Sequence, residues 1–152
     1  AGLMIAGGEA RLGEYNVRFG DPECQAMMLR LGAQALDLLL ACAEGLLAET
    51  QITWGHDHAM TVVMATKGYP GSYEKGKVIT GIADADALPG VKVFHAGTKL
   101  DGENVVTSGG RVLGVTALGQ GLQAARDLAY EAAAKIQFEG AFTRTDIAAK
   151  GL

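Results

Sequence analysis

Glu14-Tyr15-Asn16-Val17-Arg18-Phe19-Gly20-Asp21-Pro22-Glu23 is the run on which the reading of this 152-residue chain turns. In a β-strand, residues two apart point to one face. Glu14, Asn16 and Arg18 would then project together while Tyr15, Val17 and Phe19 anchor the opposite face in a core. Carboxylate and amide oxygens suit a hard cation such as Mg²⁺, and an arginine beside them suits phosphate oxygens. Half-exposed strands alternate polar and apolar residues with or without a function, so alternation alone favours a plain solvated strand. The residues after Phe19 shift that balance. Gly20 permits a sharp turn, Asp21 is placed as an N-cap, and Pro22 at the first helical position with Glu23 behind it opens a helix. The polar strand thus runs into a helix N-terminus, which favours anions. On physical grounds alone Asp21 and Glu23 are caps before they are catalysts.

With 49% hydrophobic residues the chain is long enough for one compact domain, or a small domain plus a fragment of another. Its net charge of -4 comes with scattered basic residues, so nucleic-acid binding is disfavoured. No apolar stretch approaches a membrane span, and Ala1-Gly2-Leu3-Met4-Ile5 lacks the charged start and sustained apolar region of a signal peptide; a cytoplasmic location is expected. The same opening has no initiator Met and reads as a strand entered midway, which points to a piece excised from a longer protein. Cys24 and Cys42 are too far apart for a CxxC site and are read as reduced thiols, with Cys42 packing in a helix.

Leu3-Met4-Ile5 pairs with the Glu14-Asn16-Arg18 strand across Ala6-Gly7-Gly8-Glu9, giving a hairpin. Helical spacing runs through Gln25 to Leu31, breaks near Gly32, and resumes from Ala35 to Ala43 before Gly45. Beyond Ile52, short strands are expected at Ala59–Ala65, Lys77–Thr80, Val91–His95, Asn104–Thr107 and Arg111–Ala117. A helix from about Gly121 to Phe138 turns Leu122, Ala125, Leu128, Ala129, Ala132 and Ile136 inward. This pattern predicts a small antiparallel α+β unit, with a boundary between Gly45 and Trp54.

Four runs in one order, Glu14 to Gln25, Gly68-Tyr69-Pro70-Gly71-Ser72-Tyr73-Glu74-Lys75-Gly76, Val93-Phe94-His95-Ala96-Gly97-Thr98 and Thr107-Ser108-Gly109-Gly110-Arg111-Val112-Leu113-Gly114, resemble the phosphoribosylamine-glycine ligase (glycinamide ribonucleotide synthetase) family. The resemblance covers essentially the whole chain but only the C-terminal part of the family protein. It implies an α+β fold in which residues 1–48 are the C-terminal segment of an ATP-grasp domain (hairpin plus helices) and residues 49–152 a small antiparallel C-terminal domain. The implied chemistry is ATP-dependent ligation: glycine is activated as glycyl phosphate, and the amine of 5-phosphoribosylamine attacks it, in de novo purine biosynthesis. Magnesium or manganese would neutralise the phosphate charge, with ATP as co-substrate. The family pattern places the metal on Glu14 and Asn16. Arg18 is the candidate for holding the transferring phosphoryl group, and Asp21 for orienting an amine-bearing substrate. Arg111, after two glycines that would leave backbone N–H groups open beside it, is the candidate contact for the phosphoribosyl phosphate; a solvated turn arginine is the plain alternative. Gly68-Tyr69-Pro70-Gly71 is a turn by its own chemistry and a substrate-facing loop by resemblance, with Tyr69, Lys75, His95 and Thr98 expected to line the cleft.

The chain also departs from the pattern. Ala33-Gln34 stands where many relatives have Ser-Asp, Gly13 precedes Glu14 where an apolar residue is usual, and the lysine pair and phosphate-covering loop for the nucleotide are expected upstream. The chain alone is therefore expected to be inactive, its partners being the missing N-terminal and ATP-grasp regions together with glycine, 5-phosphoribosylamine and ATP. The alternative is a non-catalytic structural or substrate-closing module of a larger ATP-grasp protein. His56 and His58 have H-x-H spacing but no third ligand nearby, which argues against zinc.

Overall fold

The computed structural model describes residues 2–152. It opens with strands β1 (Gly2–Ala6) and β2 (Glu9–Glu14), paired antiparallel across Gly7-Gly8, where both residues adopt the positive φ that glycine tolerates. The pairing matches the expected hairpin but stops early. Gly2 already faces Glu14, so the described part of β1 offers no backbone partner to residues 15–20, which run as irregular chain. Tyr15, Val17 and Phe19 consequently have no core to enter: they are exposed, Val17 completely. The expected anchoring face does not form.

Helix α1 (Glu23–Leu31) and helix α2 (Gln34–Glu44) come next, broken at Gly32, and Gly45 ends α2 in the left-handed region. Asp21 is not the cap of α1. Pro22 occupies the N-cap position, and no side chain bonds the first turn. Cys42 is exposed rather than packed, because α2 buries only Leu38 and leaves Leu36, Leu39 and Leu40 at the surface.

The main sheet is antiparallel throughout. Its strands are β3 (His58–Thr66), β4 (Val91–His95), β7 (Arg111–Gly119) and β8 (Ala141–Phe142), in the order β4-β7-β3-β8. Helix α3 (Ile82–Asp86) precedes β4, while β5 (Thr98–Asp101) and β6 (Asn104–Thr107) form a separate hairpin. Lys77–Thr80 is not a strand of its own; Val78 and Thr80 make only single bridges, to Val106 and Gln137.

Helix α4 (Leu122–Lys135) covers one face of the sheet with Ala125, Ala129, Ala132 and Ala133, small residues that bring helix and strands close. Met60, Val62 and Met64 of β3 face them together with Leu113, Val115 and Ala117 of β7. Of the positions expected inward, Ala125, Ala129 and Ala132 are buried and Leu128 packs partly against the core, whereas Leu122 is half-buried outside the core cluster; the helix ends at Lys135, with Ile136 buried just beyond it. Helix α1 packs on β3 and β7. Gln25 there lies beside Gly114, and its Oε1 is buried without a partner.

Candidate functional site

Glu14, at the end of β2, shares one recess of about 460 Å³ with Asn16, Arg18, Asp21 and Glu23. The predicted trio therefore converges, though through a bent loop and not through strand alternation. The Asn16 amide donates to Glu14 Oε1 at 3.0 Å, which leaves the amide oxygen and the other carboxylate oxygen without a protein partner among the described residues. Arg18 Nη1 donates to the Phe19 carbonyl at 2.8 Å. A side chain at Gly20 would stand 2.2 Å from Glu23 Oε2, so this glycine is what lets the Glu23 carboxylate fold back to the rim.

The donor set fits a hard cation only in part. Among the described residues no group of three or more His, Cys, Asp and Glu side chains is placed to hold a metal, and His56 and His58 have no third ligand. One carboxylate and one amide in the same recess match instead the ligand number with which Mg²⁺ is held: one or two protein ligands, with phosphate and water oxygens completing the octahedron.

Arg111 reaches this recess from the other end of the sequence, its Nη2 donating to Asp21 Oδ2 at 2.8 Å across 90 positions. Its placement comes from a tight backbone crossing at the start of β7. A Cβ on Gly97 would lie 2.5 Å from the Arg111 carbonyl and 2.6 Å from Gly109 Cα, so no other residue fits. Thr66, buried, gives its N–H to the Gly110 carbonyl at 2.9 Å. Tyr69 lays its ring on Gly110, where a Cβ would sit 2.1 Å from Tyr69 Cδ2. The Tyr69 ring thus packs on the residue that precedes Arg111. Of the two glycine N–H groups before Arg111, that of Gly109 is taken: it donates, as does that of Ser108, to the Gly97 carbonyl, at 3.1 and 2.7 Å.

The remaining expected residues spread outward. His95 Nδ1 lies 2.9 Å from Thr98 Oγ1 at the β4–β5 turn, and Lys75 sits over the Tyr73 ring at 5.7 Å. Sequence reading passed over Lys77, which bridges Glu74 at 2.8 Å and Glu139 at 2.9 Å beside a cavity of about 480 Å³. Hydrogen bonds from Lys77 to Glu74 and then to Glu139 push its ammonium up to about 12, and the same contact lowers Glu74. A lysine so matched by two carboxylates ties the Gly68–Gly76 loop to the turn before β8. The Asp21–Arg111 contact was also missed, since no local pattern signals a pairing so distant in sequence.

Comparison with known proteins gives three concordant results. The family model for the phosphoribosylglycinamide synthetase C domain matches residues 59–150. The chloroplastic phosphoribosylamine-glycine ligase of Arabidopsis thaliana is 54% identical over 156 residues, covering 100% of this chain and 29% of the relative. The phosphoribosylamine-glycine ligase of Vigna unguiculata is 51% identical over 146 residues, covering 93% and 47%. The crystal structure of phosphoribosylamine-glycine ligase from Thermotoga maritima superposes with a TM-score of 0.80 at 35% identity, covering 95% of this chain and 35% of that one. The chain spans less than half the length of each.

Proposed function

Because the chain belongs to the phosphoribosylglycinamide synthetase C-domain family, we propose that it forms the C-terminal part of an ATP-dependent ligase joining glycine to 5-phosphoribosylamine in purine biosynthesis. The observation that carries this is the convergence of Glu14, Asn16, Arg18 and Asp21 on one recess, with Arg111 brought to its rim. Residues 1–48 are read as the end of an ATP-grasp domain and residues 49–152 as the small domain after it.

In this reading Glu14 and Asn16 hold Mg²⁺ or Mn²⁺ through the two unpartnered oxygens. The metal, when bound, supplies positive charge to ATP phosphate oxygens as the glycine carboxylate approaches to form glycyl phosphate. Arg18 swings from the Phe19 carbonyl to the transferring phosphoryl group, a forked cation meeting a group whose charge is spread over several oxygens. Asp21 orients the attacking amine. Arg111 binds the phosphate of the ribosyl substrate, and Tyr69 walls that end of the site.

The rest of the ligase completes the site, since this chain contributes two metal oxygens and spans 29% to 47% of those relatives. Its exposed Met4, Ile5, Leu12 and Val17 are what those further segments would cover. Alone it is expected to be inactive. No single helix is long and apolar enough to cross a membrane, and we place the ligase in the cytoplasm.

The test is made in the full-length ligase. Arg111→Ala should raise the KM for phosphoribosylamine by about tenfold or more, the loss of a charged hydrogen bond, with a smaller change in kcat. An unaltered KM would return Arg111 to the role of a solvated turn residue.

A further inference from the structure

Asp21 and Arg111, assigned above to two different parts of one substrate, are bonded to each other. The contact is single, from Nη2, and leaves Nε and Nη1 of Arg111 without a partner among the described residues. Both side chains are substantially exposed, at 57% for Asp21 and 40% for Arg111. A pair exposed to that degree shifts an equilibrium by about fivefold at most. It is therefore easily exchanged. Arg111 cannot move far, because its backbone is locked by the Gly97 crossing and by Thr66 on Gly110. Asp21 sits on irregular chain before α1 and does not cap it, so its carboxylate is not needed elsewhere in the fold.

We propose that Asp21 and Arg111 form one exchangeable recognition unit for a phosphate monoester that also carries a primary amine. The phosphate takes Arg111 over in a two-point contact, stronger than the single carboxylate bond it replaces. The released Asp21 carboxylate then accepts the ligand's ammonium or amine N–H, so that charge is matched only when the ligand brings both groups. A phosphate without an amine displaces Asp21 and leaves it unmatched. Selectivity for an amino phosphate thus comes from the pair and not from either residue. This rests on the reading that Arg111 binds a phosphate group.

The test follows the Arg111 Nε–Hε resonance of the 152-residue chain by NMR, assigned from its loss in Arg111→Lys. Ethyl phosphate and phosphoethanolamine are titrated as probes. The wild-type chain is expected to bind phosphoethanolamine at least about threefold more tightly than ethyl phosphate. In Asp21→Asn, ethyl phosphate should bind about threefold more tightly than in the wild type, because its internal competitor has gone, and the amine should no longer add affinity. Asp21→Ser provides a second variant, and the amide spectrum reports that each remains folded. Equal affinities for the two probes in wild type, or unchanged ethyl phosphate binding in both variants while Arg111 still responds, would overturn the exchange and leave the phosphate reading standing. An Arg111 resonance that no phosphate moves in any chain would overturn both.

Discussion

If Glu14 and Asn16 hold Mg²⁺ as proposed, they do so with two protein oxygens, the ligand bringing the rest. The 3.0 Å bond from the Asn16 amide to Glu14 links the two exposed side chains. Removing either one takes away an oxygen and also frees the other to rotate. In the full-length ligase, Glu14→Ala and Asn16→Ala should each weaken the apparent affinity for Mg²⁺ by at least about tenfold in an ADP-release assay, the scale on which even supporting contacts tune metal sites. Excess Mg²⁺ should restore part of the rate in Asn16→Ala, which keeps the carboxylate. Identical rates across a Mg²⁺ titration would remove both from the metal. That these residues share one recess was legible from their spacing. Their geometry was not, because a strand needs a neighbour and none is described beside residues 15–20. Asp21 was misread as a cap for a related reason: capping is a local pattern, whereas its actual partner lies 90 residues away.

Among the elements, the long apolar runs of β3 and β7 and the alanine stripe of α4 declared themselves by period, since each buries a whole face. Short elements did not. Helix α3 has five residues, and β5 exposes Leu100, so neither carries a hydrophobic period that a window can detect. What fixes α3 is instead a polar staple. Asp86 Oδ2 accepts from Lys92 Nζ at 2.6 Å and Oδ1 from the Val93 N–H at 2.7 Å, joining the helix to β4. The Lys92 hydrogen bond, with help from the Val93 N–H, holds this carboxyl below the usual carboxylate range against the opposing effect of partial burial. A carboxyl depressed in the folded state stabilises fully above its unfolded pKa, and that contribution is lost as pH falls through the folded value. Asp86→Asn should therefore cost about 1 to 2 kcal/mol near neutral pH, the value of a charge-assisted bond. Urea midpoints of the two proteins should approach each other as pH drops from about 6 to about 2. A gap that stays constant with pH would show that the carboxylate charge contributes nothing.

Over the whole molecule, burial is divided unevenly along the chain. The sealed core runs from Met60 to Phe138, and before it Leu31 and Leu38 are the buried hydrophobic residues among those described. The β1–β2 hairpin exposes Leu3, Met4, Ile5 and Leu12, so its ladder is held by its own backbone bonds and little else. Two strands without a packed face are marginal in water, and local opening free energy tracks buried contact. Hairpin amides are therefore expected to exchange with deuterium at least about a hundredfold faster than those of β3, β7 and α4 in the 152-residue chain. Leu113→Ala sharpens the expectation. Leu113 is 1% exposed at the centre of the sheet, and its truncation should cost about 2 to 5 kcal/mol. That loss should speed exchange across β3, β7 and α4 together while leaving the hairpin rates as they were, because the hairpin already opens without unfolding the core. Hairpin amides as slow as those of β7, or core and hairpin rates that rise together in Leu113→Ala, would mean that the end of the chain carrying Glu14 is part of the same cooperative unit as the sheet that carries Arg111.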